Sequence, residues 1–227
     1  MTTPTLPLRP AARACLAAIA LLMLAGCTVV GGGEREDARL YMPDPRVPAD
    51  PAWPEVSWQL SVSNPTAARM IDSLRIAVRP APNELQVYKS GGWAKRPSDM
   101  LEDALLRTLE DSGRIPAVAR QGSGVSADYK LVLDLRRFES DYVRDGASQS
   151  ASQPAIPAAT IEVNAKLLHA QDQQVIATRT FLQAQPAAST AVPEVVEAFE
   201  QALGTLSHEM AGWILSTGQA HERNGHR

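Results

Sequence analysis

The chain has 227 residues, 44% of them apolar and 21% charged, and a formal charge of −3. That ordinary globular balance suits one sizeable domain with tails. No basic excess exists to give electrostatic support to a nucleic-acid partner, and two cysteines exclude a disulfide framework.

The chain opens like a secretory address. Arg9 and Arg13 give a positive start, and Ala14 to Ala25 form a short apolar stretch. Leu24-Ala25-Gly26-Cys27 then matches the bacterial lipobox: an apolar residue, two small ones and a cysteine. Small side chains let a signal peptidase hold the backbone closely, and the cysteine thiol accepts diacylglycerol. An uncleaved membrane helix over residues 14–33 is the competing reading, but Thr28-Val-Val-Gly-Gly-Gly33 continues a helix poorly. Residues 1–26 therefore read as a signal peptide and Cys27 as the lipidated N-terminus. Removing 26 of 227 residues leaves 201, and losing Arg9 and Arg13 takes the charge from −3 to −5. Cys15 departs with the signal, so the mature chain is expected to hold no free thiol, disulfide or cysteine metal site. Several acyl chains, palmitate among them, anchor firmly where one alone binds marginally. Thr28 rather than Asp follows the cysteine, which in an enterobacterial-type lipoprotein points to the outer membrane and the periplasm.

Residues 27–55 read as the acylated cysteine and a flexible tether. Gly31-Gly32-Gly33, the charged run Glu34 to Asp37, and Pro43, Pro45, Pro48, Pro51 and Pro54 all resist regular structure. Fully extended, such a segment reaches roughly 90 Å. Tyr41 and Trp53 within it read either as occasional coil aromatics or as groups that dock.

The periplasmic domain is expected over residues 56–217. Trp58-Gln-Leu-Ser-Val62 alternates as a strand until Asn64-Pro65, and Leu74, Ile76 and Val78 alternate with polar residues in a second. Leu85 to Tyr88 reads as a short third strand, after which Gly91-Gly92 is expected to turn the chain toward Trp93. Pro97-Ser98 offers a helix cap, with Asp99, Glu102 and Asp103 in the first turn. Leu101, Leu105 and Leu109 share one face of that helix, and Gly113 stops it. A short strand over Ile115 to Val118 would complete a parallel crossover with the strand before the helix. Tyr129, Leu131, Leu133 and Leu135 alternate, as do Ile161, Val163, Ala165 and Leu167, and Val175 to Gln183 follows. The Ser/Gln-rich Asp145 to Pro157 between the first two reads as a mobile hairpin tip. From Pro193, Val195, Phe199, Leu203, Leu206, Met210 and Ile214 recur at helical spacing. Gly204 inside this helix implies close packing, Gly218 is expected to end it, and residues 218–227 read as a polar tail.

Chemistry is sparse. His169, His208, His221 and His226 show no ligand spacing, so no metal and no cofactor is expected. Gly122-Ser-Gly124-Val-Ser-Ala127 fits a dinucleotide fingerprint only superficially, because it leads into a strand rather than a helix. Ser123 and Ser126 have no evident base. Asp134 and Glu162 could face one another across strands, and together with a histidine they carry the rival reading of a periplasmic hydrolase. The ordinary reading is a solvated sheet face, and no catalytic residue is expected. Tyr88 to Arg96 combines two aromatics, three cations and a glycine pair. Either it anchors a partner or a neighbouring subunit through Tyr88, Trp93, Lys95 and Arg96, or Trp93 closes the core.

The order of these features resembles the ABC-type transport auxiliary lipoprotein family, which includes PqiC-like members. The lipobox, the proline-rich tether, the Leu74–Val78 strand with Pro80 and the Leu85–Tyr88 strand before Trp93 all fit. So do the Ser98–Gly113 helix, Ala127-Asp128-Tyr129 leading into a long strand, and the final helix with Phe199, Leu203 and Trp213. Trp58 stands where some members carry Tyr, and the 145–157 insertion is atypical. The resemblance implies an α/β fold of mixed α+β character: about five strands in a mixed sheet with two main helices, similar to the TolB N-terminal domain. It implies non-enzymatic work at the outer membrane, as a docking subunit for an MCE-domain periplasmic protein and its inner-membrane permease and ATPase. Ring-shaped homo-oligomers are also implied. A general envelope-organising lipoprotein that binds peptidoglycan or a porin is the alternative.

Overall fold

The computed structural model describes residues 39–143 and 156–225. The lipobox, Cys27 and the core of the Ser/Gln-rich insertion (144–155) lie outside the described residues. Nine strands and two helices follow in order: β1 (Arg39–Tyr41), β2 (Leu60–Val62), β3 (Thr66–Ala67), β4 (Arg75–Ala81), β5 (Glu84–Trp93), α1 (Pro97–Ser112), β6 (Val118–Arg120), β7 (Tyr129–Asp141), β8 (Ala158–His169), β9 (Val175–Pro186) and α2 (Val192–Arg223). The class is the expected mixed α/β arrangement, with nine strands in place of about five.

Strand β7 is the spine. Along one edge it pairs antiparallel with β8, which pairs antiparallel with β9. Its other edge is shared by three short parallel neighbours: β2 at Tyr129–Leu131, β3 at Asp134–Leu135 and β4 at Glu139–Asp141. From there β6 extends the sheet beyond β2, while β5 and then β1 extend it beyond β4. The strand that pairs in parallel with β6 is thus β2, not the strand directly before α1. A β-bulge explains why the apolar alternation stops at Leu135. Leu135 pairs with Val163 and Arg137 with Glu162, which leaves Arg136 unmatched. The extra residue shifts the phase, so Leu135 and Phe138, three apart, both face the core, and both are fully buried.

Helices α1 and α2 pack on one another, with α2 across β8 and β9. Phe138 stacks on Phe199 at 4.8 Å, and Trp93 meets both edge-on. The cap of α1 comes from outside the helix: Asp72 Oδ1 accepts the Ser98 N–H at 3.0 Å. The Ser98 hydroxyl makes no cap, whereas Gly113 ends the helix at φ 62° as expected.

Three expectations are corrected by packing around glycine. Gly91-Gly92 is strand interior, not a turn, because β5 passes between β1 and β4 there. A Cβ on Gly92 would lie 2.7 Å from the Leu74 carbonyl oxygen, so only glycine lets those backbones approach. Second, the tether does not extend to Glu55: from Arg39 onward the chain is laid on the domain. It enters as β1, and Pro43, Pro45 and Trp53 are buried. Proline, which discourages helix and sheet, suits a strap that follows a surface without regular structure. Third, α2 does not stop at Gly218 but runs to Arg223, because its glycines are contact points for the strap. A Cβ at Gly204 would meet Pro45 Cβ at 3.2 Å, and one at Gly212 would meet Trp53 Nε1 at 2.7 Å. At Gly218 it would strike the Trp58 ring, 2.8 Å from Cε2 and closer still to Cζ2. His208, between the first two, packs against Trp53 in a tilted arrangement with ring centroids 4.9 Å apart. Burying an aromatic side chain of this kind contributes roughly 2–3 kcal/mol toward offsetting the entropy of ordering the strap.

Gly218→Ala is expected to destabilise the protein by about 2 kcal/mol through overpacking against a rigid indole. Gly204→Ala, where the gap is larger and helix propensity improves by about 1 kcal/mol, is expected to be near neutral. Urea denaturation of both variants measures the difference.

Candidate functional site

The four residues read as a surface cluster do not converge. Trp93 is only 1% exposed and lies in the aromatic core, so burial removes it as an interface anchor. Tyr88 is half-buried, its hydroxyl 3.0 Å from Ser140 Oγ and 3.4 Å from Tyr142 Oη. Burial, with a smaller contribution from Tyr142, pushes that phenol well above its usual range. Lys95 is half-exposed and donates to Asp103 Oδ2 at 2.6 Å. Arg96 is exposed at the start of α1 and lines a groove with Arg69, Asp72 and Leu74. Cys27 lies outside the described residues.

Asp134 and Glu162 both lie on the helix-free face of the sheet, held by one arginine. Arg136 Nε is 3.2 Å from Asp134 Oδ2, and its Nη1 is 3.7 Å from Glu162 Oε1. Nearby the same face carries a denser network. Arg79 grips Glu139 through Nε at 2.6 Å and Nη2 at 3.0 Å. Arg137 Nε donates to the same carboxylate at 2.7 Å, and its Nη2 donates to Asp141. Burial pushes the Glu139 carboxyl up, but hydrogen bonds from Arg79 and Arg137 outweigh it and hold the group below its ordinary value of 4.5.

A polar cleft of about 480 Å³ opens at the C-terminal end of α2, lined by Trp58, Asp128, His169, Asp172 and Glu222. Tyr129, next in the chain to Asp128, donates to Glu222 Oε1 at 2.7 Å with His221 Nδ1 at 2.9 Å. Burial, reinforced by Glu222, pushes the Tyr129 phenol up. His169 Nδ1 lies 3.0 Å from Asp172 Oδ1, and its ring is 5.6 Å from that of His221. Hydrogen bonding from the Gln174 backbone N–H, and then from His169, holds Asp172 below its ordinary range. The cluster fastens the last turn of α2 to the start of β7 and the β8–β9 turn. No group of three or more metal-ligating side chains exists among the described residues. Sequence reading misses the cleft because His221 and Glu222 are taken as tail. The available signal is the run Thr217 to Arg223, which contains no residue that must break a helix once Gly218 is tightly packed.

Trp93→Ala is expected to lose about 3–5 kcal/mol of stability, as core aromatics do. Lys95→Ala and Arg96→Ala should each stay within roughly 0.5 kcal/mol of wild type. Thermal melts separate the two outcomes. Because the Glu139 pKa is lower in the folded chain, its contribution is full above pH 4.5 and is lost as pH falls below that value. Glu139→Gln should lower stability at pH 7 by roughly 3–5 kcal/mol and flatten the decline below pH 4.5. Urea midpoints from pH 7 down to about 3 measure both effects.

Comparison with known proteins agrees with this architecture. The crystal structure of protein XCC0632 from Xanthomonas campestris is 55% identical and superposes with a TM-score of 0.75 over 82% of this chain and 99% of that one. An uncharacterized protein of known structure shares the fold at 16% identity, with a TM-score of 0.53 over 74% of this chain and 97% of its own. An uncharacterized protein from Bradyrhizobium diazoefficiens is 26% identical over 189 residues, 82% of this chain and 47% of that relative. The present chain therefore spans about half the length of that protein. Residues 39–211 match the family model for the ABC-type transport auxiliary lipoprotein component, and this range begins at β1, where the strap joins the sheet. The chain belongs to the ABC-type transport auxiliary lipoprotein family.

Proposed function

We propose that the protein is a non-catalytic docking subunit of an ABC-type or MCE-type intermembrane lipid-transport system, acylated at Cys27 and held on the periplasmic face of the outer membrane. The observation that carries this reading is the family match over 39–211 in a chain whose Leu24-Ala25-Gly26-Cys27 fits the lipobox. No helix among the described residues is long and apolar enough to cross a membrane, so the reading gives the acylated cysteine the anchoring role. Its partners are an MCE-domain periplasmic protein and the associated inner-membrane permease and ATPase. Asp134 and Glu162, on which the rival hydrolase reading rests, each pair with Arg136.

Affinity purification of the detergent-extracted protein, followed by mass spectrometry, tests the reading. Co-purification of an MCE-domain or permease component with phospholipid is expected. Recovery of the protein alone, or with peptidoglycan and porins, would overturn the transport role in favour of an envelope-organising one. Cys27→Ser is expected to abolish palmitate labelling and to move the protein out of the outer-membrane fraction.

A further inference from the structure

Charge on the described surface is unevenly neutralised. Arg79 and Arg137 hold Glu139, Arg107 pairs with Asp44, Arg114 with Glu55, and Arg120 with Glu102 and Asp103. Arg39, Arg69, Arg75 and Arg96 are exposed and have no carboxylate partner among the described residues.

These four lie at one end of the sheet. Arg39 pairs with Gly91, and Arg75 pairs with Gly92 from the other side. Arg69 and Arg96 line a single open groove with Leu74, where Asp72, the one carboxylate, is occupied in capping α1. Two large apolar side chains stand among these cations. Leu40 is 68% exposed and Leu74 is 54% exposed, although neither needs to be apolar for the core. Leu40 Cδ2 lies 3.5 Å from where a Gly92 Cβ would be, and the Leu74 backbone carbonyl oxygen lies 2.7 Å from the same point. Exposed leucines and unpaired arginines gathered at one end of the sheet match a surface that is apolar beneath and anionic at its boundary.

The path of the chain supplies the occupant. Arg39 begins β1, and Cys27 precedes it by 12 residues. Even fully extended, that stretch spans only about 40 Å. On the proposed acylation at Cys27, the end of the sheet that carries the arginines is the one tied nearest the bilayer. We infer that Arg39, Arg69, Arg75 and Arg96, with Leu40 and Leu74, form a docking face that seats the domain on the anionic phospholipid headgroups of the membrane holding its anchor. The arginines supply bidentate contacts to phosphate oxygens, and the leucines enter the interfacial region. Orientation thereby becomes a property of the folded domain, and the acyl chains supply residence.

The test uses the mature chain from residue 27 carrying Cys27→Ser, so binding is read without acyl chains. Co-sedimentation is measured with phosphatidylcholine vesicles and with vesicles containing about one-third phosphatidylglycerol. The protein is expected to bind the anionic vesicles only. The triple variant Arg69→Gln, Arg75→Gln, Arg96→Gln should lose on the order of a hundredfold in partitioning, three surface charges at roughly fivefold each. A charge-matched control, Lys166→Gln, Arg179→Gln, Arg223→Gln, should stay within about twofold of the parent, and Leu40→Ser with Leu74→Ser should remove the binding that survives at high salt. No binding to anionic vesicles, or equal loss in both triple variants, overturns the docking face. So does concentration-dependent self-association abolished by the Arg69/Arg75/Arg96 variant, which would assign the face to a second copy. This inference rests on Cys27 acylation only for the side of the domain that meets the membrane. Failure of palmitate labelling would refute that reading while leaving the vesicle result to stand or fall alone.

Discussion

Strand β7 must satisfy a full-length antiparallel partner on one edge and three short parallel neighbours on the other, and the remaining structure is arranged around that demand. The bulge at Arg136 makes this possible. Before it, Leu131, Leu133 and Leu135 point into the core; after it, Phe138 and Ser140 do, while Arg137, Glu139 and Asp141 turn to the helix-free face. One inserted residue therefore builds the aromatic core against α2 and also places a buried carboxylate where Arg79 of β4 can reach it. The ion pair reinforces the tie of β4, and with it β5 and β1, to the spine where the parallel pairing is only three residues long. Replacing such a network with apolar groups is often tolerated, but removing one member leaves a buried charge without compensation.

The strap is the second consequence of close packing. Pro45, Trp53 and Trp58 sit on Gly204, Gly212 and Gly218, three places along one helix where a missing side chain lets another segment approach. Because the strap is seated, the free length between a lipidated Cys27 and the domain falls from residues 27–55 to residues 27–38. Reach contracts from roughly 90 Å to about 40 Å. On the proposed acylation at Cys27, so short a lead keeps the domain close to its membrane. Load on an acylated Cys27, as proposed, would meet several contacts in turn: the β1–β5 pairing, Pro45, then Trp53 and Trp58.

Much of this was legible in the sequence. Alternation in Leu131 to Leu135 and Ile161 to Leu167 marks the central strands, and the spacing of Phe199, Leu203, Leu206, Met210 and Ile214 marks α2. Gly113 ends α1 as its left-handed φ requires, and Gly204 packs closely as its position in a helix implies. What was not legible turns on residues whose local meaning is ambiguous. Gly91-Gly92 is equally a turn or a site of close approach, and only the strands on either side decide. Gly218 reads as a stop because glycine usually is one, yet Trp58, 160 positions away, occupies the space where a Cβ would be. Proline density in 43–54 shows that the segment forms no helix or strand of its own, not that it is unattached. Trp93 beside Lys95 and Arg96 resembles a surface anchor in one dimension, although alternation along β5 sends its ring to Phe138 and Phe199.

The same ambiguity bears on which charges matter. Counting arginines in the sequence gives no patch, because most of them are spent on carboxylates brought together by the fold: Arg120 reaches Asp103, Arg114 reaches Glu55, and Arg107 reaches Asp44 in the strap. Once those pairs are drawn, Arg39, Arg69, Arg75 and Arg96 stand without a carboxylate partner among the described residues at the β1–β4 end, as Lys166, Arg179 and Arg223 do elsewhere. The fold that hides Trp93 also leaves Leu40 and Leu74 exposed, and at Leu40 the neighbouring Gly92 offers no side chain to shield it. A glycine retained so that three backbones can meet thus leaves Leu40, on the opposite side of the strand from the aromatic core, open to solvent beside Arg75.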